Sequence, residues 1–390
     1  MKQAFITGVT GFIGGRFAEA AFERGIPIVG LVRNWAHATS LARLPVRMIA
    51  GDLMDPETLR KGMEGCDVVF HCAVDNRARG GAHRRSIVEG TRNVMQAALD
   101  SGVKRVVHLS SAAVYSYRPK PDAATEAGRC RRSGDAYCDS KIEAEEVALK
   151  FHRESGLPVT ILRPTVVYGP FGYFSSHAAE LIREGRMVLV DGGSGICNSL
   201  YVDNLVQAMF LAAERDAAVG EVFHVSDSEP VTWKVFIEGH GRALGEGYLP
   251  LPEMTQAQIR SARAKMVRDG GVLLMKGMLG VLRDPRIKTA ITTLPMVGTM
   301  AEWAKEWVGR LPKKTQRRLK QLLGKGDGAA SKSGGPQPLP MTQSDVQMFT
   351  VFSDVTFSID KARRLLGYEP NISFARGMDR TAKWIKWARI

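Results

Sequence analysis

Nowhere in these 390 residues do about eighteen apolar residues run together without charge, the length that a membrane-spanning helix needs. The longest apolar stretch near the basic part of the chain, residues 271–282, is short and carries Lys276. The opening, MKQAFITGVTGFIGG, shows no basic leader with an apolar core and cleavage site; it runs straight into a strand-like segment. A cytoplasmic protein that does not span a membrane is expected. Cysteine is scarce as well: Cys66, Cys72, Cys130, Cys138 and Cys197 form no C-x-x-C pair and no cluster at metal-ligand spacing. That favours free thiols in a reducing compartment and gives no reason to expect a metal. Cys138 lacks a nearby His to form a thiolate pair, so it reads as a packing residue and not a nucleophile.

Acids are in deficit, 40 Asp and Glu against 54 Lys and Arg, for a net charge of +14. The deficit is local. Residues 240–335 hold eighteen Lys and Arg and seven acids, so +11 of the +14 lies there and the rest of the chain is close to neutral. Hydrophobic content of 44% and charged content of 24% are ordinary, so fold class has to come from pattern.

The first 165 residues alternate Val- and Ile-rich runs (QAFITG, IPIVGLV, VRMIAG, DVVFHCA, KRVVHLSS, PVTILRP) with segments of helical spacing, several ending in Gly. Strand, helix, strand repeated in this way predicts an α/β fold with a doubly wound parallel Rossmann sheet, ligands binding at the carboxyl ends of its strands. The expected organisation is a dinucleotide-binding core over 1–165 and a smaller C-terminal substrate-binding region from 166–239 and 350–390. A basic helical insertion over 240–324 and a Gly-, Ser- and Pro-rich linker over 325–345 complete it.

TGVTGFIG places Gly8, Gly11 and Gly14 between the first strand and a helix, where glycines let the backbone approach a pyrophosphate and the helix start supplies N–H donors. At the end of the second strand, where an acid would bond the ribose 2′-OH of NAD, the chain has Val32 and Arg33. Arg33 suits a 2′-phosphate, with Arg16 placed to assist, which favours NADP and leaves NAD open. In DAYCDSKIEAEE, Tyr137 and Lys141 stand four apart on one helix and so share a face. A lysine cation favours the phenolate, fitting Tyr137 for proton transfer near neutral pH, while Ser111, ending the strand VVHLSS, can bond the same substrate oxygen.

The succession of glycine loop, Asp52-Leu53, HCAV, LSSAAVY, YCDSK and LRPTVVYGP resembles the extended short-chain dehydrogenase/reductase superfamily over about 1–239 and the last forty residues. The resemblance implies a catalytic triad of Ser111, Tyr137 and Lys141, Tyr137 being the acid/base and Lys141 also holding the nicotinamide ribose. It further implies a pyrophosphate loop of Gly8, Gly11, Phe12 and Ile13, adenine contacts from Asp52 and Leu53, a cofactor-lining Ala73, and a carboxamide contact from Pro164 to Val167. His71 reads as a structural residue of its strand end. Ile87 stands where family members commonly carry an Asn, which leaves no relay through that position.

Other absences sort the branches. Sugar-nucleotide epimerases and dehydratases usually carry Asn after the LR of the sixth strand and an Arg-Asp pair before YVDD; here Thr165, Val166, Cys197 and Asn198 occupy those places. YVDN and LRPTVVYGP look instead like the 3β-hydroxysteroid dehydrogenase-like and dihydroflavonol-reductase-like branches. The expected function is hydride transfer between NADP(H) or NAD(H) and a lipophilic alcohol or ketone. A sugar-nucleotide epimerase or dehydratase is one alternative, and a non-catalytic NADP(H)-binding regulator another. A small-molecule substrate and a homodimer are the expected partners. Nucleic acid is not, since no binding module is recognisable. The insertion, with Trp303, Trp307 and many cations, has the composition of an interfacial helix, so peripheral membrane contact through 240–324 stands beside a plain helical lid.

Overall fold

The computed structural model describes residues 1–74, 81–245, 250–264 and 341–389. Six strands, β1 (Ala4–Thr7), β2 (Ile28–Val32), β3 (Val46–Ala50), β4 (Val68–His71), β5 (Arg105–Leu109) and β6 (Val159–Pro164), all buried but the edge strand β3, alternate with helices. Those helices are α1 (Phe12–Glu23), α2 (Pro56–Met63), α3 (Gly81–Asp100) and α4 (Ala136–Ser155). There follow β7 (Val166–Tyr168), α5 (Tyr173–Arg183), β8 (Leu189–Val190), β9 (Ser199–Tyr201), α6 (Val202–Glu214), β10 (Val222–Val225), α7 (Trp233–Ala243) and β11 (Glu253–Met254). Helices α8 (Gln343–Met348), α9 (Asp360–Leu366) and α10 (Phe374–Ala388) close the chain.

The main sheet is parallel throughout, in the order β3-β2-β1-β4-β5-β6-β10. Its chain reverses direction of travel between β1 and β4, the switch point at which a dinucleotide cleft opens in this fold. Side chains alternate across each strand, so Phe5 packs with α2 and α3 while Ala4 and Ile6 pack with α1 and α6. The expected doubly wound α/β architecture is present, with all six expected strands. Among the described residues no helix is long and apolar enough to cross a membrane.

Two boundaries differ from the sequence reading. Helix α7, capped by Thr232 and burying Phe236, Ile237 and His240, runs through residue 240, so the compact unit extends over Met1–Met254 before the chain leaves it. The chain rejoins at Met341, and α8, with a Thr342–Asp345 capping box, lies inside part of the expected linker. Met341 and Val346 are buried there, and burial of an apolar pair outweighs the linker-like composition just before it. The second unit is Thr255–Pro340, of which the described part is a helix over 256–264 begun by a reciprocal Thr255–Gln258 cap. The rest of the expected insertion, including Lys313, Lys314, Arg317 and Arg318, lies outside the described residues.

Candidate active site

Gly8 leaves β1 at φ +73, and a Cβ there would stand 2.8 Å from the Ala73 backbone after β4. Gly14, in the first turn of α1, passes so close that a Cβ would sit 2.3 Å from the Gly8 carbonyl. Only hydrogen fits either place. Replacing Gly8 by Ala is expected to cost about 1–3 kcal/mol of stability through backbone strain. It should also weaken nicotinamide-dinucleotide binding at least about tenfold, because the loop retreats from the helix start. Thermal unfolding and a fluorescence titration with NADPH check the two effects separately.

A cleft of about 530 Å³ opens beside this loop. Of the residues singled out from the sequence, Gly8, Gly11, Phe12, Ile13, Gly14, Arg33, Asp52, Leu53, Ala73 and Tyr137 line it; Ser111, Lys141, Pro164 and Val167 are not among its lining. The tight glycine cradle fits a dinucleotide pyrophosphate, and Arg33 at the β2 end faces the same space. Arg33 and Asp52 approach to 3.9 Å with both side chains about half exposed. Asp52 also accepts from the Met54 N–H, and Asn93 donates to the Leu53 carbonyl, so the loop after β3 is fixed from two sides. Arg16 does not join them: its Nε donates to Asp203 Oδ1 at 2.6 Å, with Glu19 and Glu23 also beside it.

Thr7, His71 and His108 stand level on β1, β4 and β5. Thr91 donates to the Ile87 carbonyl at 2.7 Å, so its oxygen is left to accept from His71 Nε2–H at 3.0 Å; His71 Nδ1 then accepts from Thr7 at 2.7 Å. The Thr7 oxygen in turn accepts from the Ala73 N–H at 3.3 Å. This one-way chain needs a neutral His71, and burial pushes that imidazole down to about 3. His71 thus holds the β4 end and the start of the cofactor-lining turn. Ile87, in the place of the family's Asn, contributes only its carbonyl and a buried apolar side chain.

Ser111 and Tyr137 stand at two helix starts. Ser111 caps the short 3₁₀ turn Ala112–Tyr115, its oxygen accepting from the Ala113 N–H at 3.1 Å. Asp135 caps α4 by accepting from the Tyr137 and Cys138 N–H groups, which puts Tyr137 in the first turn, half-buried, facing the cleft. The Ser111 hydroxyl lies beside the Tyr137 phenol. Burial raises the phenol above its ordinary value, and the neighbouring Ser111 hydroxyl opposes that rise without overcoming it. The expected direct lowering by Lys141 is not what the structure shows. Lys141 Nζ donates to the Leu109 carbonyl at 2.8 Å, deep below the phenol, and burial pulls its ammonium down to about 8.

Beneath Lys141, Glu145 takes both Nε and Nη2 of Arg163, at 2.9 and 2.6 Å. Arg163 Nη1 donates to the Tyr115 hydroxyl, which meets His224 Nε2 at 2.9 Å. The sequence reading found neither this pair nor the residues at the cleft's outer end, Ser86, Phe171, Tyr173 and Ser176. The aromatic run GPFGYF directly after LRPTVVY was the available signal for Phe171 and Tyr173. Asn198, in the place where sugar-nucleotide enzymes usually carry a phosphate-gripping residue, donates to the carbonyls of Phe352 and Val355 and accepts from Phe357 N–H. It ties the C-terminal segment down.

The model of the NAD dependent epimerase/dehydratase family matches residues 4–226. The chain is 31% identical to a 4-hydroxy-2-methyl-3-oxo-4-farnesyl-3,4-dihydroquinoline-1-oxide ketoreductase of Stigmatella aurantiaca, over 75% of this chain and 86% of that one. It is 30% identical to a 2-alkyl-3-oxoalkanoate reductase of Stenotrophomonas maltophilia, over 62% and 76%. Among solved structures, a UDP-glucose 4-epimerase of Thermotoga maritima superposes with a TM-score of 0.67 at 17% identity over the whole of both chains. A dTDP-glucose 4,6-dehydratase of Streptomyces venezuelae, solved with NAD, gives 0.64 at 21% over 99% and 97%. At these identities the structural likeness shows the fold alone.

Proposed function

We propose, for a chain that belongs to the NAD dependent epimerase/dehydratase family and is an NAD(P)-dependent oxidoreductase, that it reduces a lipophilic ketone to an alcohol with NADPH. The observation that carries the reading is the Tyr137 phenol, beside Ser111 and lining a cleft that Phe171 and Tyr173 also line. Two further features support it. The two reductase relatives are named for ketone substrates that carry a farnesyl group and an alkyl group, and Asn198 is engaged with backbone and not turned to a nucleotide phosphate.

NADPH, when bound, supplies the hydride. The glycine loop of Gly8, Gly11, Phe12, Ile13 and Gly14 would hold its pyrophosphate, with Asp52, Leu53 and Ala73 along the adenine and ribose side and Pro164 and Val167 behind the nicotinamide end. Tyr137 gives its proton to the substrate oxygen as that oxygen gains charge, and Ser111 donates a hydrogen bond to the same atom. Lys141 acts through its field and its expected hold on the ribose. We assign the substrate side to 166–239 and 350–390, and keep a homodimer as the assembly to be checked by sedimentation.

The test is NADPH consumption with long-chain 3-oxo acids and ketosteroids on one side and, on the other, chromatographic analysis of UDP-glucose for an epimerised or dehydrated product, conversions that consume no net NADPH. Turnover confined to the ketones supports the proposal; turnover of the sugar nucleotide alone, or of nothing, overturns it. The choice of NADPH rests on Arg33. Arg33→Asp should reverse the preference, lowering NADPH affinity roughly tenfold or more, since a charge-assisted contact to the 2′-phosphate becomes a repulsion. Equal affinities for the two cofactors in the unmodified protein would defeat the idea.

A further inference from the structure

Phe171, past the end of β7, is 65% exposed and held at φ +66, and Tyr173, which begins α5, is 66% exposed. Both line the cleft. The Phe171 ring lies 5.3 Å from Trp384 on α10, and one turn further on Trp387 is 75% exposed, more than any other large apolar side chain among the described residues. Helix α10 buries Phe374, Met378, Trp384 and Ile385 against the body, and Trp387 projects past that packed face. An aromatic strip therefore leads from the cleft to the end of the last helix.

Cations flank the strip. Lys383 is exposed and pairs with Asp379 at 2.8 Å; Lys386 and Arg389 are exposed in the next turn. Arg183, ending α5, is exposed and donates to the Arg389 carbonyl at 3.2 Å, which brings α5 and α10 together at this edge. Glu180 is the nearby acid on α5, half exposed and facing His177. Indole and phenol rings interleaved with lysine and arginine match the chemistry of a bilayer interface, where rings sit among headgroups and cations meet anionic phosphate. A second copy docking by two-fold symmetry would set these cations against themselves, which disfavours that occupant.

The geometry points to an interfacial docking site in which Trp387, Phe171 and Tyr173, with Lys383, Lys386 and Arg389, seat the outer end of the cleft on an anionic lipid bilayer. A lipophilic ketone then passes from bilayer to cleft without crossing water. The inference rests on the proposed substrate class, and it uses no residue of the basic segment beyond 264.

The experiment is co-sedimentation of the full chain with vesicles of phosphatidylcholine containing phosphatidylglycerol, and of phosphatidylcholine alone, at low and high salt. The unmodified protein should bind the anionic vesicles and release them as salt rises. Trp387→Ala should lower partitioning about tenfold, and Lys383→Gln with Lys386→Gln by roughly tenfold or more. Both variants should reduce a short, water-soluble ketone as fast as the parent, which certifies their folding. Unmodified protein that stays in the supernatant, or variants that bind as tightly as the parent, would overturn the site, the second result assigning adsorption to another segment. A change of oligomeric state in Trp387→Ala, read by sedimentation, would assign the strip to a copy-to-copy contact. Failure of the reductase reading shows itself separately, as absence of NADPH consumption with every ketone while vesicle binding persists.

Discussion

Tyr137→Phe is expected to lower kcat on a ketone by about a hundredfold to ten-thousandfold, the usual worth of a positioned proton donor, while leaving NADPH affinity nearly unchanged. The phenol lies beside Ser111, and among the described residues lining the cleft no other acid is assigned to this step, so its removal leaves the developing alkoxide without a proton. Lys141→Met should differ in kind, lowering both turnover and cofactor affinity. The buried ammonium titrates near 8, depressed by burial, so it is charged below that value and neutral above it. Turnover is therefore expected to fall as pH rises through about 8, and the fall should vanish from the residual activity of Lys141→Met. Stopped-flow single turnovers across pH, with NADPH titrations alongside, separate these effects. Substantial turnover by Tyr137→Phe would place the acid elsewhere.

The parallel core was legible because strands buried on both faces are written as runs of Val and Ile, and because Gly25, Gly102 and Gly156 mark helix ends with left-handed backbone. Tyr137 and Lys141 were legible as a pair because helix spacing is local information. What the spacing could not say is where Lys141 points: the Leu109 carbonyl, 32 residues away, captures the ammonium. Arg16 misled for the same reason, since its partner Asp203 is 187 residues distant. The boundary expected after residue 239 cuts through helix α7 because Gly239 and Gly241 weaken a helical pattern that burial of Phe236 and Ile237 sustains. The cleft's aromatic end was written in GPFGYF, yet nothing local says that a Phe will be held outward in a left-handed conformation.

Glu145→Ala is expected to destabilise the protein by about 3–5 kcal/mol, because it leaves the Arg163 guanidinium charged inside the core. Both side chains are almost wholly buried, and both carboxylate oxygens are taken by one guanidinium, so no water replaces the lost partner cheaply. Arg163 retains Tyr115 and the Cys130 thiol at 3.2 Å, neither of which carries the missing charge. Replacing both members, Glu145→Leu with Arg163→Met, should recover most of the loss, since two apolar side chains demand no partner. The pair does more than hold the fold. Glu145 lies one turn beyond Lys141 on α4, and Arg163 directly precedes Pro164 on β6, so the bridge sets the height of the helix that carries the proposed proton donor over the strand that carries the proposed nicotinamide contact. The double replacement should accordingly regain its urea midpoint and still turn over more slowly than the parent, with KM little changed. Full recovery of kcat together with stability would reduce the bridge to a packing element, and a single Glu145→Ala variant as stable as the parent would mean that Arg163 finds solvent by a route the buried site does not offer.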